Sequence, residues 1–315
     1  MISLYFQSRI VKGQGAAGMR LAALAIAFAV PLCAQTPLEI AEGTRALYRG
    51  DYQEARRLAS KYLEANPQAS TAHILMGRAE IAQGQYEPAY ESLRKALELE
   101  PANVDALYYL ERLCTLLSQI EFRQLLEMAP DSFRAHQLMA ESYVQQNNNG
   151  EAEKEYQAAL KVNPRSVEVL DALGELKRSE FKLDEALDYY ALAAKLVPGH
   201  YTSAYGIGAC HLYQHNPRAA IESFRRALQA DPGSAAAHLA LGDALLQDGQ
   251  ASAAVTELKT ATTLVPGMRQ AYTLLARAYQ KLGETREAQQ ALRKEQELAQ
   301  EDIEAQSEIS GSDRR

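Results

Sequence analysis

The chain has no tryptophan, six phenylalanines and three cysteines among its 315 residues. Three cysteines without paired Cys or His spacing leave no zinc-type motif and no disulfide framework. No phosphate-cradling glycine loop, GxSxG or HExxH is present, so the catalytic set is empty and no cofactor is implied. The six histidines do not form a metal set. His211 and His215 lie one helical turn apart, but no third ligand stands near them in sequence. A formal net charge of −7 argues against nucleic acid or an anionic membrane as the main partner. No apolar run is long enough to span a bilayer. The longest, Leu21 to Leu32, would rise about 18 Å as a helix, against a hydrocarbon core of about 30 Å. Hydrophobic residues still make up 47%, which is ordinary for a folded helical protein and excludes disorder as the main state.

What is present is a period. Residues 233–266 read GSAAAHLALGDALLQDGQASAAVTELKTATTLVP. Ser234 is placed to cap a helix. His238, Leu241 and Leu245 then follow at three- and four-residue steps, the stripe of a half-buried helix. Gly249 suits a left-handed turn, and Ala254, Leu258 and Ala261 begin a second stripe that Pro266 ends. Prolines recur at 67, 101, 130, 164, 198, 232 and 266, every 34 residues except for one interval of 29. Twelve residues before them stand Ala55, Ala89, Ala152, Ala186, Ala220 and Ala254. Twenty-four before them stand Gly43, Gly77, Ala140, Gly174, Gly208 and Gly242. Eight before them stand large residues: Leu93, Phe122, Tyr156, Tyr190, Phe224 and Leu258. Small residues let two helices approach, and the large one fills the space beside them. An eighth unit carries Ala276 and Ala288 but has Gln300 in place of the proline. Helices this short are marginal alone, so each unit needs a neighbour.

This 34-residue helix–turn–helix pattern resembles the tetratricopeptide repeat family over roughly residues 36–300. The family's first-helix tryptophan is replaced by His73, Leu107, His136, Leu170, Ala204, His238 and Tyr272. The resemblance implies an all-α, right-handed superhelical solenoid. It also implies a non-enzymatic role, with other proteins or extended peptides held in a groove lined by the first helices. We place about eight repeats in residues 35–304 and a disordered tail at 305–315. The third repeat, 102–130, is five residues short and has Glu111 where its neighbours have Gly77 and Ala140. It reads either as a distorted joint or as a short repeat that stacks normally. Cys114 and Cys210 read as buried small hydrophobes, and His73, His136 and His238 as packing residues.

Carried over residue by residue, the groove positions change character along the chain. Ile40, Leu47, Ile74 and Ile81 come first. Asp105, Arg112, Arg134, Glu141, Glu168, Asp171, Glu175 and Arg178 form a charged middle. Tyr205, Leu212, Tyr213, Leu239 and Leu246 close the series. From these, the partner-binding set expected is Tyr205, Leu212, Tyr213, Leu239, Leu246, Arg134, Glu141, Asp171 and Arg178. The apolar members have a second reading, as packing between adjacent first helices. The lysine–asparagine clamp of some family members is not matched. Ile40, Thr44, Ile74, Arg78, Tyr108 and Arg112 hold those places, none of them lysine. Self-association through the apolar groove ends is compatible with this pattern. An alternative role is a substrate-recruiting subunit for a separate glycosyltransferase or polysaccharide-export machinery.

Residues 1–34 contain Arg9, Lys12 and Arg20 but no acid, then the apolar run, then Ala34. That order is read as a secretory signal peptide cut after Ala34, with Met19 as an alternative start. Leu32 before Cys33 does not fit a lipid-attachment box, so Cys33 leaves with the signal. Removing the segment takes away three positive charges and no negative ones, which makes the mature net charge −10. The mature chain is then expected in the bacterial periplasm or outside the cell, with no membrane span. Intact-mass measurement of the natively produced protein should give Gln35 as the N-terminus. A mature protein that retains residues 1–34 would overturn the export reading.

Overall fold

The computed structural model describes residues 37–312, and side chains through residue 304. The expected signal peptide and residues 313–315 lie outside the described residues. All regular structure among the described residues is helical. The chain divides into two compact units, with the boundary between Leu117 and Ser118. The first unit holds α1 (Leu38–Tyr48), α2 (Tyr52–Ala65), α3 (Ser70–Ala82), α4 (Tyr86–Leu99) and the first part of α5 (Val104–Met128). The second holds the rest of α5, then α6 (Phe133–Gln145), α7 (Asn149–Val162), α8 (Val167–Ser179), α9 (Leu183–Leu196) and α10 (Tyr201–Tyr213). It continues with α11 (Pro217–Ala230), α12 (Ala235–Gln247), α13 (Ala251–Leu264), α14 (Arg269–Leu282) and α15 (Thr285–Ser312).

The helix ends follow from local chemistry. Ser132, Ser166 and Ser234 accept the amides of Ala135, Val169 and Ala237 at 3.2, 3.3 and 3.2 Å, so each caps a first helix. Second helices stop two residues before the recurring prolines. The residue between is forced out of the helical region by the proline ring. Asn66, Glu100, Asn163, Val197, Asp231 and Val265 accordingly have φ between −130° and −136°. Where Gln300 replaces the proline nothing stops the helix, and α15 runs on to Ser312. Helix α15 thus extends into the segment expected as a tail, and residues 301–310 contain no glycine or proline to break the backbone.

The turn inside each hairpin needs one residue in the left-handed region. Gly50, Gly84, Gly249 and Gly283 fill it with φ from +72° to +82°. At the same place three repeats carry Asn147, Phe181 and His215, with φ of +57°, +59° and +56°. Asn tolerates this conformation, whereas a bulky side chain costs roughly 1–2 kcal/mol there. Asn147 and Asn148 make the turn of their repeat. Asn149 and Gly150, also expected in the turn, are already the first residues of α7.

The third repeat is not a hairpin. Residues 106–129 contain no glycine, proline or asparagine to make the left-handed turn. They form one helix of 25 residues, α5, and the unit boundary falls inside it. Glu111 points to solvent and accepts a hydrogen bond from the Thr115 hydroxyl at 2.9 Å. Cys114 is exposed, which corrects its expected burial, while Cys210 is buried. Burial pushes the Cys210 thiol up to about 11.

Inside each hairpin the small residues meet the large ones. Ala55, Ala89, Ala152, Ala186, Ala220 and Ala254 are completely buried. A Cβ added to Gly77, Gly174, Gly208 or Gly242 would lie 2.8, 2.7, 2.7 or 2.6 Å from Leu93, Tyr190, Phe224 or Leu258 of the same repeat. Gly206 is an additional close approach, because its added Cβ would meet the Tyr190 ring at 2.3 Å. Tyr190 is therefore held between α8 and α10 by two glycines.

Polar links tie neighbouring helices together. Lys177 of α8 is buried and pairs with Glu153 of α7 at 2.6 Å and Glu185 of α9 at 3.1 Å. His136 and His238 are more than packing residues. Their Nδ1 atoms lie 2.7 Å from Glu155 and Glu257 on the second helix of their own repeats. His73 and His238 also reach the carbonyls of Pro67 and Pro232, at 3.0 and 3.1 Å.

Ala186→Leu or Ala254→Leu should overpack a crossing and cost about 1–3 kcal/mol, while Thr256→Leu, on an exposed position, should do little. Faster hydrogen exchange should stay near the altered repeat, because a solenoid is a sum of nearest-neighbour terms. A rise spread equally over every repeat of the second unit would contradict this. Gly206→Ala should likewise lower the thermal midpoint by an amount equivalent to about 1–3 kcal/mol. Alanine is otherwise the better helix residue, so an unchanged or higher midpoint would mean that Tyr190 yields freely.

Candidate binding groove

In the second unit the first helices α8, α10, α12 and α14 carry two adjoining hollows. The first, about 420 Å³, is lined by Arg178 of α8, by Tyr205, Leu212 and Tyr213 of α10, and by Asp243 of α12, among others. The second, about 630 Å³, shares Tyr205, Leu212, Tyr213 and Asp243. It adds Leu239 of α12, Leu274 of α14 and Met268 from the turn before α14.

Tyr205 anchors both. Its ring stacks on Tyr201 at 5.8 Å and tilts against Phe224 at 5.4 Å. It lies one place off the stripe of Ala204 and Gly208, so it is half-buried rather than internal. Burial raises its hydroxyl above the usual tyrosine range. Tyr213 closes the α10 side and is 54% exposed. Arg178 is held by both oxygens of Glu175, one turn earlier on α8, in a bidentate pair. The Tyr190 hydroxyl donates to the same carboxylate at 3.1 Å. Burial, with the Glu175 charge behind it, keeps that hydroxyl protonated far above its ordinary range. The only hydrogen bond to the Asp243 carboxylate comes from Gln247, at 3.3 Å, and no cation pairs with it among the described residues.

Five expected groove residues thus come together: Arg178, Tyr205, Leu212, Tyr213 and Leu239. The other four, Leu246, Asp171, Arg134 and Glu141, do not join them. Leu246 is 3% exposed and packs in the core with Leu245, Phe224 and Tyr279, which corrects its groove assignment. Asp171 is 6% exposed and faces α10 instead. It accepts from the Ser203 hydroxyl at 2.7 Å and lies 3.0 Å from His200. Burial raises its carboxyl above the usual range, although Ser203 and His200 act in the other direction. In the structure these contacts link α8 to the start of α10. Arg134 and Glu141 sit on α6, away from both hollows. Gln137 links them, accepting from Arg134 at 2.6 Å and donating to Glu141 at 2.9 Å. Arg134 also reaches Glu168 at 3.4 Å. In the first unit Ile40 and Ile74 are buried core residues, so the packing reading holds for them.

Some surface features were not anticipated. The Arg78 guanidinium lies over the rings of Tyr109 at 4.7 Å and Tyr48 at 5.6 Å, and Arg112 lies over Tyr108 at 5.8 Å. Asp243, Met268 and Leu274 were missed in the groove, because they fall outside the positions carried over from the family. Phe181 was missed as well. Its signal was present: it stands at the 34-residue place of Gly84 and Gly249. No group of acidic, His or Cys side chains among the described residues is arranged to hold a metal ion.

Comparison with known proteins bears on this architecture. Residues 138–201 and 205–269 match one family model described as tetratricopeptide repeat, and residues 46–103 and 245–307 match another of the same description. Rat (Rattus norvegicus) sperm-associated antigen 1 is 37% identical over 110 residues, 33% of this chain and 12% of that protein. Mouse (Mus musculus) tetratricopeptide repeat protein 21A is 30% identical over 136 residues, 42% of this chain and 10% of that protein. The chain thus spans about a tenth of the length of these relatives. Among solved structures, MamA is 22% identical with a TM-score of 0.50, over 52% of this chain and 96% of MamA. MamA from Desulfovibrio magneticus RS-1 is 19% identical with a TM-score of 0.51, over 54% of this chain and 96% of that one. The structural likeness is one of fold. Taken with the family matches and the 34-residue hairpins, it leads to one conclusion: this chain belongs to the tetratricopeptide repeat family.

Proposed function

We propose that the chain is a non-enzymatic interaction scaffold of the bacterial cell envelope, which holds partner proteins or extended peptides against α8, α10, α12 and α14. The observation that carries this reading is the pair of adjoining hollows built around Tyr205, Leu212 and Tyr213. Aromatic side chains in a partly desolvated recess are the usual sites where a few residues supply most of the binding energy. A half-buried tyrosine offers a large rigid face and loses few rotamers on binding. The envelope assignment is supported by the basic–apolar–small order of residues 1–34.

Tyr205→Ala should weaken capture of a partner from the native envelope fraction by roughly 30-fold, equivalent to about 2 kcal/mol. Tyr205 also touches Phe224, so some loss of thermal stability is expected. It should be smaller than that of Tyr190→Ala, whose side chain is 1% exposed. If Tyr205→Ala melts as early as Tyr190→Ala, Tyr205 belongs to the core and the site is wrong. If it captures the partner at full strength, the partner binds elsewhere.

A further inference from the structure

Phe181 is placed in a way that folding alone does not explain. It occupies the left-handed turn position between α8 and α9, with φ of +59°. Four other hairpins use glycine there, at residues 50, 84, 249 and 283. A bulky residue is strained in this conformation, and glycine would relieve it without moving the backbone. Burial does not compensate, because Phe181 is 74% exposed. Its ring meets one aromatic neighbour, Tyr213 of α10, edge to face at 6.0 Å. Tyr213 is itself 54% exposed and lines both hollows. Two exposed aromatic rings therefore stand together: Tyr213, which lines the recess, and against it Phe181, in a strained backbone position. Strain held by a residue that buries little within its own chain is a mark of a functional site.

The charges around the recess indicate what covers it. Arg178 is satisfied by Glu175 through two hydrogen bonds. Asp243 lines both hollows and has no cation partner among the described residues. His215 lines the first hollow at its edge. Arg178 is compensated by Glu175 and Asp243 is not, so the recess presents one unpaired carboxylate beside apolar and aromatic walls.

We propose that Phe181 and Tyr213 form an aromatic ledge that docks a large apolar side chain of a partner protein segment, with a neighbouring lysine or arginine of that segment placed on Asp243. This rests on the groove reading above and adds the chemistry of the partner. The ledge supplies rigid ring surface at the rim, and Leu212, Leu239 and Leu274 continue it inward. The carboxylate selects against acidic segments by like-charge repulsion and favours basic ones. The segment recognised is therefore apolar and basic.

The absence of tryptophan from the chain makes the test direct, since the indole emission of a tryptophan-bearing peptide is the only such signal in the mixture. The probes are two short synthetic peptides. One carries tryptophan, leucine and two lysines, and the other has glutamates in place of the lysines. At pH 7.5 the lysine peptide should bind the full-length protein at least about tenfold more tightly than the glutamate peptide. Phe181→Gly should weaken lysine-peptide binding about tenfold while melting no earlier than the parent, because the strained turn is relieved. Asp243→Asn should remove the preference between the two peptides.

An earlier melt for Phe181→Gly would make the ring a packing residue and overturn the ledge. Full binding by Phe181→Gly would overturn it too. If Tyr205→Ala then still weakens the peptide, the groove reading survives and only the ledge falls. If neither variant affects the peptide, both fall. Equal binding of the two peptides, or of neither, overturns the apolar–basic partner. In that event the groove reading stands or falls on partner capture by Tyr205→Ala.

Discussion

The structure depends on how closely the two helices of each hairpin approach. A glycine on the first helix faces a large side chain on the second, as Gly174 faces Tyr190 and Gly208 faces Phe224. The glycine has no Cβ, so the ring or leucine side chain lies against backbone and interior density is reached without a cavity. An alanine on the second helix, completely buried, completes the crossing. Hairpin geometry in turn sets how the first helices line up. Where the crossing is lost, at Glu111, the hairpin is lost as well, and one long helix replaces it. The recess between α10, α12 and α14 is a consequence of the same constraint. It exists because first helices stand side by side while second helices fill the space behind them.

Much of this architecture was legible in the sequence. Proline lacks an amide hydrogen and restricts the residue before it, so its spacing marks the end of each second helix, and the extended Asn163 and Val265 follow. The small–large pattern is equally direct, since steric size is a property of the residue alone. The long α5 was less legible. A missing turn residue is an absence spread over 24 positions, and a shortened repeat has more than one structural solution. The helical run of α15 past residue 305 follows the same logic: the lack of periodicity in residues 308–315 suggested a loose end, but residues 301–310 hold no glycine or proline.

The candidate site was read less well, for a physical reason. Each first helix packs against its own second helix and against the first helices on either side. Its buried arc is therefore wide, and the exposed arc that forms a groove is narrow. Leu239 and Leu246 are seven residues apart on α12 and share a helix face to within about 20°, yet Leu239 lines the hollow and Leu246 packs in the core, so helical phase alone does not separate groove from core. Charge misled at Asp171, where the Ser203 hydroxyl and His200 satisfy a buried carboxyl between two helices. Tyr205 lines both hollows, and its offset from the Ala204–Gly208 stripe is a local feature that the sequence shows. Phe181 breaks a local rule, a bulky side chain in a glycine turn, without a packing gain beyond one ring contact. Such departures are where function is expected to lie.

The central claim is that first helices of the second unit, and not the second helices behind them, meet the partner. Hydrogen exchange on the natively isolated protein, with its captured partner and after the partner is stripped away, tests this directly. The account predicts that the partner adds protection to residues 201–213, 235–247 and 269–282 and leaves residues 183–196, 217–230 and 251–264 unchanged. Protection confined to the second-helix segments, or spread evenly over both sets, would contradict it.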